Sequence, residues 1–185
     1  MNNYKKVFST LSILFVFTLI FTACSKENKL ESTSNNTTEK ANYKITLYYP
    51  TEDYIVNGNE ENKFESLRDI VFDSTDEIFE VLIDDLKEAP KDTDNGKYYP
   101  AIPKKIQVNS IKVEDSTAYV DFNSENLSGG SLDENILINT LFFTLTSLTE
   151  NEKPLVDGVL FTVDGEEVQS LMGHFDVSKR IESEI

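Results

Sequence analysis

The stretch from Lys104 to Leu148 limits the folds open to this 185-residue chain more than any other. In Lys104–Asn123 apolar side chains alternate with polar ones, Ile111 and Val113 before a short turn, Ala118, Val120 and Phe122 after it. Period-two alternation of that length predicts a β-hairpin with one buried face. Ile106 and Val108 have the opposite parity, so a β-bulge or bend is expected near Asn109-Ser110. Beyond Gly129-Gly130 comes a long apolar helix, opened by the capping-box pattern Ser131-Leu-Asp-Glu134. Leu132, Ile136, Leu137, Leu141, Phe142, Leu145 and Leu148, with Ile138 and Phe143, make it apolar over more than half its circumference. A helix of that kind belongs in the interior.

The rest of the chain supplies further strands and one amphipathic helix. Tyr43–Pro50 alternates and is rich in β-formers, and Pro50 stops it. Asp53–Asn59 reads as a shorter strand ending at Asn57-Gly58, and Leu67–Phe72 as a strand in preference to a helix. Ser74-Thr-Asp-Glu77 is a second capping box, launching Ile78, Val81, Leu82 and Leu86 at helical spacing until Ala89-Pro90 ends the helix. Asp157–Gly165 is the last strand, closing on the tight-turn pair Asp164-Gly165. The polar residues after Gly173 suggest a loosely held tail.

The N-terminus speaks of location. A short basic region with Lys5 and Lys6 precedes the apolar run Leu11–Phe21, which is too short to span a membrane and has the order of a secretory signal. Phe21-Thr-Ala-Cys24 is similar to a bacterial lipoprotein cleavage box, so residues 1–23 are expected to be a signal peptide and Cys24 a lipidated first residue. Cys24 is the chain's single cysteine and has no disulfide partner within it. Residues 25–42 hold only Leu30 and Ala41 as apolar groups and read, with Cys24, as a tether. Without residues 1–23, which carry two lysines and no acids, 15 Lys and Arg face 33 Asp and Glu, a formal charge of −18. Such a surface repels nucleic acid.

Chemistry is sparse. The one histidine, His174, has no nucleophile to serve, and it reads as a surface or packing residue. No phosphate loop or dinucleotide fingerprint is present, so no cofactor is expected. Asp92-Thr-Asp94-Asn-Gly96 begins like a calcium loop, but its twelfth position is Pro103 where a glutamate is needed; it reads as a polar turn, and no metal site is expected. Glu77, Glu80, Asp84 and Glu88 form an acidic stripe on the first helix, a solvated face that singles out no acid–base pair. Tyr48, Tyr49, Phe64, Tyr98 and Tyr99 form an aromatic set that could line an interaction surface, although adjacent Tyr48 and Tyr49 in one strand point to opposite faces.

The order of these pieces resembles the GerMN domain family of sporulation and spore-germination lipoproteins. The matching segments are Ile45-Thr-Leu-Tyr-Tyr-Pro50, Ala101-Ile-Pro-Lys104, Ile111–Phe122, Asn135–Leu145 with its Asn-Thr-Leu, and Gly158–Gly165. Asp115-Ser116 stands where the family's hairpin turn usually has glycine, and Glu88-Ala89-Pro90 where Gly-Pro is usual. The resemblance implies an α+β two-layer sandwich like the ring-building motif, and it implies a non-enzymatic role with no catalytic residues. The residues themselves give two helices and about five strands; that these form a small mixed sheet with both helices on one face is what the resemblance implies. The expected organisation is a domain over 43–177 followed by a polar tail over 178–185. The expected function is that of a lipid-anchored extracytoplasmic protein acting in sporulation, germination or envelope assembly through other envelope proteins, with self-association also open. The alternatives are a lipoprotein that binds a cell-wall glycan, peptide or small ligand, and a carboxylate-dependent cell-wall hydrolase.

Overall fold

A computed structural model describes residues 42–90 and 98–185. The signal peptide, Cys24, the tether up to Ala41 and the polar turn at Asp92–Gly96 lie outside the described residues.

The order of elements is β1 (Tyr43–Pro50), α1 (Glu52–Asn57), β2 (Phe64–Phe72), α2 (Thr75–Leu86), β3 (Val108–Glu114), β4 (Thr117–Phe122), α3 (Ser131–Thr146), β5 (Thr149–Glu150), β6 (Lys153–Pro154), β7 (Gly158–Val163) and β8 (Glu166–Glu167). The α+β class read from the sequence holds. The strands divide between two four-stranded sheets where one of about five was expected: β2-β1-β5-β6, antiparallel throughout, and β3-β4-β7-β8, in which β4 and β7 run parallel. Two-residue strands such as β5, β6 and β8 are too short to show a period in the sequence.

The hairpin forms where the alternation placed it. Its register slips between Val108 and Ser110, so Asn109 is the extra residue of the expected bulge. Asp115 and Ser116 make the turn with φ of 47° and 59°, the left-handed geometry of a two-residue hairpin turn. Ala118, Val120 and Phe122 are fully buried, and Phe122 stacks on Phe161 of β7 at 6.1 Å. The Asp164-Gly165 turn has φ of 52° and 81° and joins β7 to β8.

Asp53–Asn57, expected as a strand, is helical. Thr51 caps it by accepting from the Tyr54 amide at 3.1 Å, and Gly58 ends it with φ of 69°. A helix of six residues offers too little periodicity to compete with β-forming Tyr54, Ile55 and Val56 in a sequence reading, yet both caps are the expected kinds. Ser74 is the N-cap of α2, but its side chain makes no capping bond. The C-terminal carbonyl of α2, Leu86 O, accepts from the amides of Ala101 and Ile102 at 2.9 and 3.1 Å, which fastens the far end of the connecting segment.

The cap of α3 sits one residue before the expected box. Gly130 is the N-cap, and its amide donates to Asp133 Oδ2 at 2.8 Å. From Glu134 to Phe142 every residue of α3 is buried. The helix packs on β1 of one sheet and β7 of the other, which is why its apolar residues are spread around it.

The segment after β8 is packed onto the domain, and so is its part after Gly173, which the sequence suggested would be loosely held. Leu171, Val177 and Ile181 are buried, and Val159 and Ile181 exchange backbone hydrogen bonds at 3.0 and 2.7 Å. Polar composition hid three well-spaced apolar anchors.

Candidate interaction surface

Pairing with β2 decides where the aromatic residues of β1 go. Ile45, Leu47 and Tyr49 face inward, and Tyr49 donates through its hydroxyl to Asp85 O of α2 at 3.1 Å. Burial pushes the Tyr49 hydroxyl above its ordinary value. Tyr48 faces the other way. Its ring lies 5.6 Å from Phe143, which lies 5.6 Å from Phe64, and Phe64 is 5.9 Å from the buried Tyr54. Tilted rings at these separations gain about 0.5–1.5 kcal/mol per pair beyond their buried area.

The five residues named from the sequence therefore do not share one face. Tyr48 and Phe64 form a half-buried patch together with Phe143 and Tyr54. Tyr49 is interior. Tyr98 bridges to Thr51 and donates to Glu65 Oε2 at 2.5 Å, and the Tyr99 amide donates to Pro50 O at 3.1 Å. Glu65 pairs across from Tyr49, so the hydroxyl of Tyr98 reaches towards that side of the sheet. Phe143 was visible only as one more apolar position of a helix, and Tyr54 was hidden by the strand assignment.

The patch holds its shape because α3 runs along the edge of β1. Beyond Lys44, where β5 stops pairing, the Thr46 amide donates to Ser147 Oγ at 2.8 Å and the Tyr48 amide to Thr144 Oγ1 at 3.2 Å. Ser147 Oγ itself donates back to Thr144 O of α3 at 2.6 Å, which fixes it in place for the Thr46 amide. Helix hydroxyls thus occupy the place of a neighbouring strand, and this covered edge is closed to further pairing.

A second constellation lies at the start of α3. Glu134, fully buried, accepts four hydrogen bonds: at Oε1 from Ser170 Oγ (2.7 Å) and the amides of Leu171 and Met172 (both 2.9 Å), and at Oε2 from the His174 amide (2.8 Å). Gly173, with φ of 97°, allows the turn that aims these amides. The His174 ring nitrogen lies 3.3 Å from Gly129 O, so the lone histidine has a packing setting. One turn on, Asn139 grips the main chain of Ile185 at two points, 2.9 and 3.2 Å, beside Asn135, which accepts from Tyr54 Oη at 2.9 Å. Both carboxylate oxygens of Glu134 are engaged in holding the chain, which suits it to a structural role. Among the described residues, no three His, Cys, Asp or Glu gather in a metal-holding group.

With a mixed two-sheet domain and its central helix established, the deciding observation is a family match: the family Germane, described as sporulation and spore germination, matches residues 46–169. The chain belongs to the Germane family. The match begins inside β1 and ends just beyond β8, and it bears out the GerMN resemblance. Two solved structures are similar to this Germane chain. A candidate lipoprotein from Clostridium perfringens is 24% identical, with 76% of this chain and 87% of that one covered and a TM-score of 0.48. The tandem GerMN domains of the sporulation protein GerM from Bacillus subtilis are 19% identical, with 82% of this chain and 48% of that one covered and a TM-score of 0.47. No curated protein matches the Germane chain.

Proposed function

We propose that this Germane protein is a lipoprotein anchored through Cys24 on the extracytoplasmic face of the cell membrane. Its folded domain acts there by contact with other envelope proteins during sporulation, spore germination or envelope assembly, without catalysing a reaction. The family match over residues 46–169 carries this reading. The lipoprotein-type box at Phe21–Cys24 supports the location, since one or more acyl chains on Cys24 would hold the protein at the surface. Among the described residues no helix is long and apolar enough to cross a membrane, so anchoring falls to the segment before them.

The test takes the full chain and its Cys24→Ala variant in an endospore-forming host. The parent is expected in the membrane fraction and the variant in the soluble extracytoplasmic fraction. A variant that stays membrane-bound and is processed normally would refute the anchor. In-cell cross-linking through the domain surface should trap envelope proteins during sporulation, and a purified domain that clears cell-wall substrate in zymography would overturn the non-enzymatic part.

The half-buried Tyr48–Phe143–Phe64 patch favours one second reading, capture of a cell-wall glycan or peptide on aromatic rings. Thermal-shift screening with muropeptides distinguishes it, because a ligand that binds only the folded state raises the unfolding midpoint.

A further inference from the structure

The fold treats its strand edges unequally. The hydroxyls of α3 cover the inner edge of β1. β2, at the rim of the same sheet, carries Glu65, Arg68 and Asp69 in exposed positions, and charges along an edge discourage pairing. β3 is different. It pairs with β4 alone, and among the described residues no hydrogen bond from another element reaches its outer edge. Ile111 and Val113 lie opposite the buried Val120 and Ala118, so they face the core side of the sheet, yet they are only half-buried.

Beside them runs a cleft of about 440 Å³. Its apolar lining includes Tyr43 of β1, Phe79 of α2 and Leu155 beyond β6 as well as Ile111 and Val113. The core layer therefore stops one strand short at this margin. A strand added alongside β3 would satisfy its free amides and carbonyls, and its inward side chains, at every second position, would drop into the cleft.

Charge selects the occupant. Glu114, Glu150 and Lys112 line the same cleft, so acids outnumber bases there as they do over the whole chain. The chain's formal charge is −16. A second copy would bring the same large net negative charge to the contact, so like-charge repulsion opposes it. A basic partner is drawn in by the same field. We infer that β3 accepts, as an additional strand of its sheet, an extended segment of a partner protein with alternating apolar side chains flanked by lysine or arginine. This inference rests on the interaction-domain reading above and gives that reading a place on the molecule.

The experiment uses the full chain in detergent micelles and a fluorescent synthetic peptide of alternating valine and threonine flanked by lysines. Binding is followed by anisotropy and by hydrogen exchange of the amides of residues 109–114. Those amides are expected to gain protection. Methylating alternate peptide nitrogens should weaken binding about tenfold by removing main-chain bonds, and Glu114→Lys, at an exposed position, should weaken it about tenfold and favour a glutamate-flanked peptide. Val113→Glu should abolish the protection, and Glu114→Lys provides the same test should that variant not fold. Unchanged exchange at 109–114, or equal binding of the methylated peptide, would overturn the inference. Sedimentation showing a dimer that protects these same amides would overturn the assignment to a partner and give the edge to a second copy. If the peptide fails while Val113→Glu still cross-links to its envelope partner in cells, the docking edge falls and the interaction-domain reading stands.

Discussion

Ser116 occupies a backbone conformation that L-residues enter at a cost of about 1–2 kcal/mol, and no glycine relieves the turn. Ser116→Gly is expected to stabilise the protein by about 1 kcal/mol, read as a higher urea midpoint with unchanged slope. Asp121 has a different kind of leverage. Burial opposes its ionisation, but bonds from Thr162 (2.7 Å), Asn109 (2.9 Å) and the Gly165 amide (2.8 Å), with the charge of Lys112, outweigh this and hold its carboxyl below the usual range. Its folded-state pKa is thus lower than its unfolded-state value of about 3.9. The stabilisation is present above that value and is lost as pH falls through the folded one. Urea unfolding at pH 6 and pH 3 should show Asp121→Asn to be less stable than the parent at pH 6, with the gap narrowing at pH 3. Gly158 is fixed by its neighbour, since a Cβ there would run into the guanidinium of Arg180. That guanidinium is tethered to Thr117, Asp157 and Glu182 and cannot swing aside freely.

Among the elements, α3 holds most of the fold's dependencies. Glu134→Ala would leave three amides and a hydroxyl without their acceptor, and we expect a loss of about 3–5 kcal/mol. Hydrogen exchange should then quicken first at Leu171, Met172 and His174, ahead of β4 and β7. Thr144→Val would strip the Tyr48 amide of its acceptor at a cost of about 1–3 kcal/mol, with faster exchange at that amide as the local signature. These dependencies also show what a sequence can carry. The hairpin, its bulge, α2, α3 and β7 were legible because each repeats an apolar period long enough to count. The division into two sheets was not legible, because it hangs on strands of two residues. Neither was the tail, whose anchors Leu171, Val177 and Ile181 follow no period. Of the aromatic set, Tyr48 and Phe64 joined one patch because pleat and register put them there, while Tyr49 turned inward by the same rule. Glu134 looked like a capping residue and became a buried acceptor, a role settled by a segment more than thirty positions away.

For the molecule as a whole, net charge sets the long-range forces. On the proposed function, a domain carrying many more acids than bases would draw basic partners by long-range attraction, so partner binding should weaken as salt rises from 50 to about 500 mM. A salt-independent affinity in a titration series would argue for a contact dominated by apolar burial.

The covered edge of β1 has a consequence for biogenesis. Thr46 and Tyr48 meet their α3 partners across 101 and 96 positions of chain. A polypeptide threading through an export channel N-terminus first releases the β1–β2 hairpin long before the hydroxyls that complete it. For the exported lipoprotein proposed above, the domain would not close until Ser147 had emerged, and closure would wait on contacts of long sequence separation, which form slowly. In that interval the incomplete hairpin would be open to chaperones and proteases on the side where it emerges. Substitutions at Thr144 and Ser147 should accordingly lower the amount of exported protein by more than their effect on the stability of the finished fold.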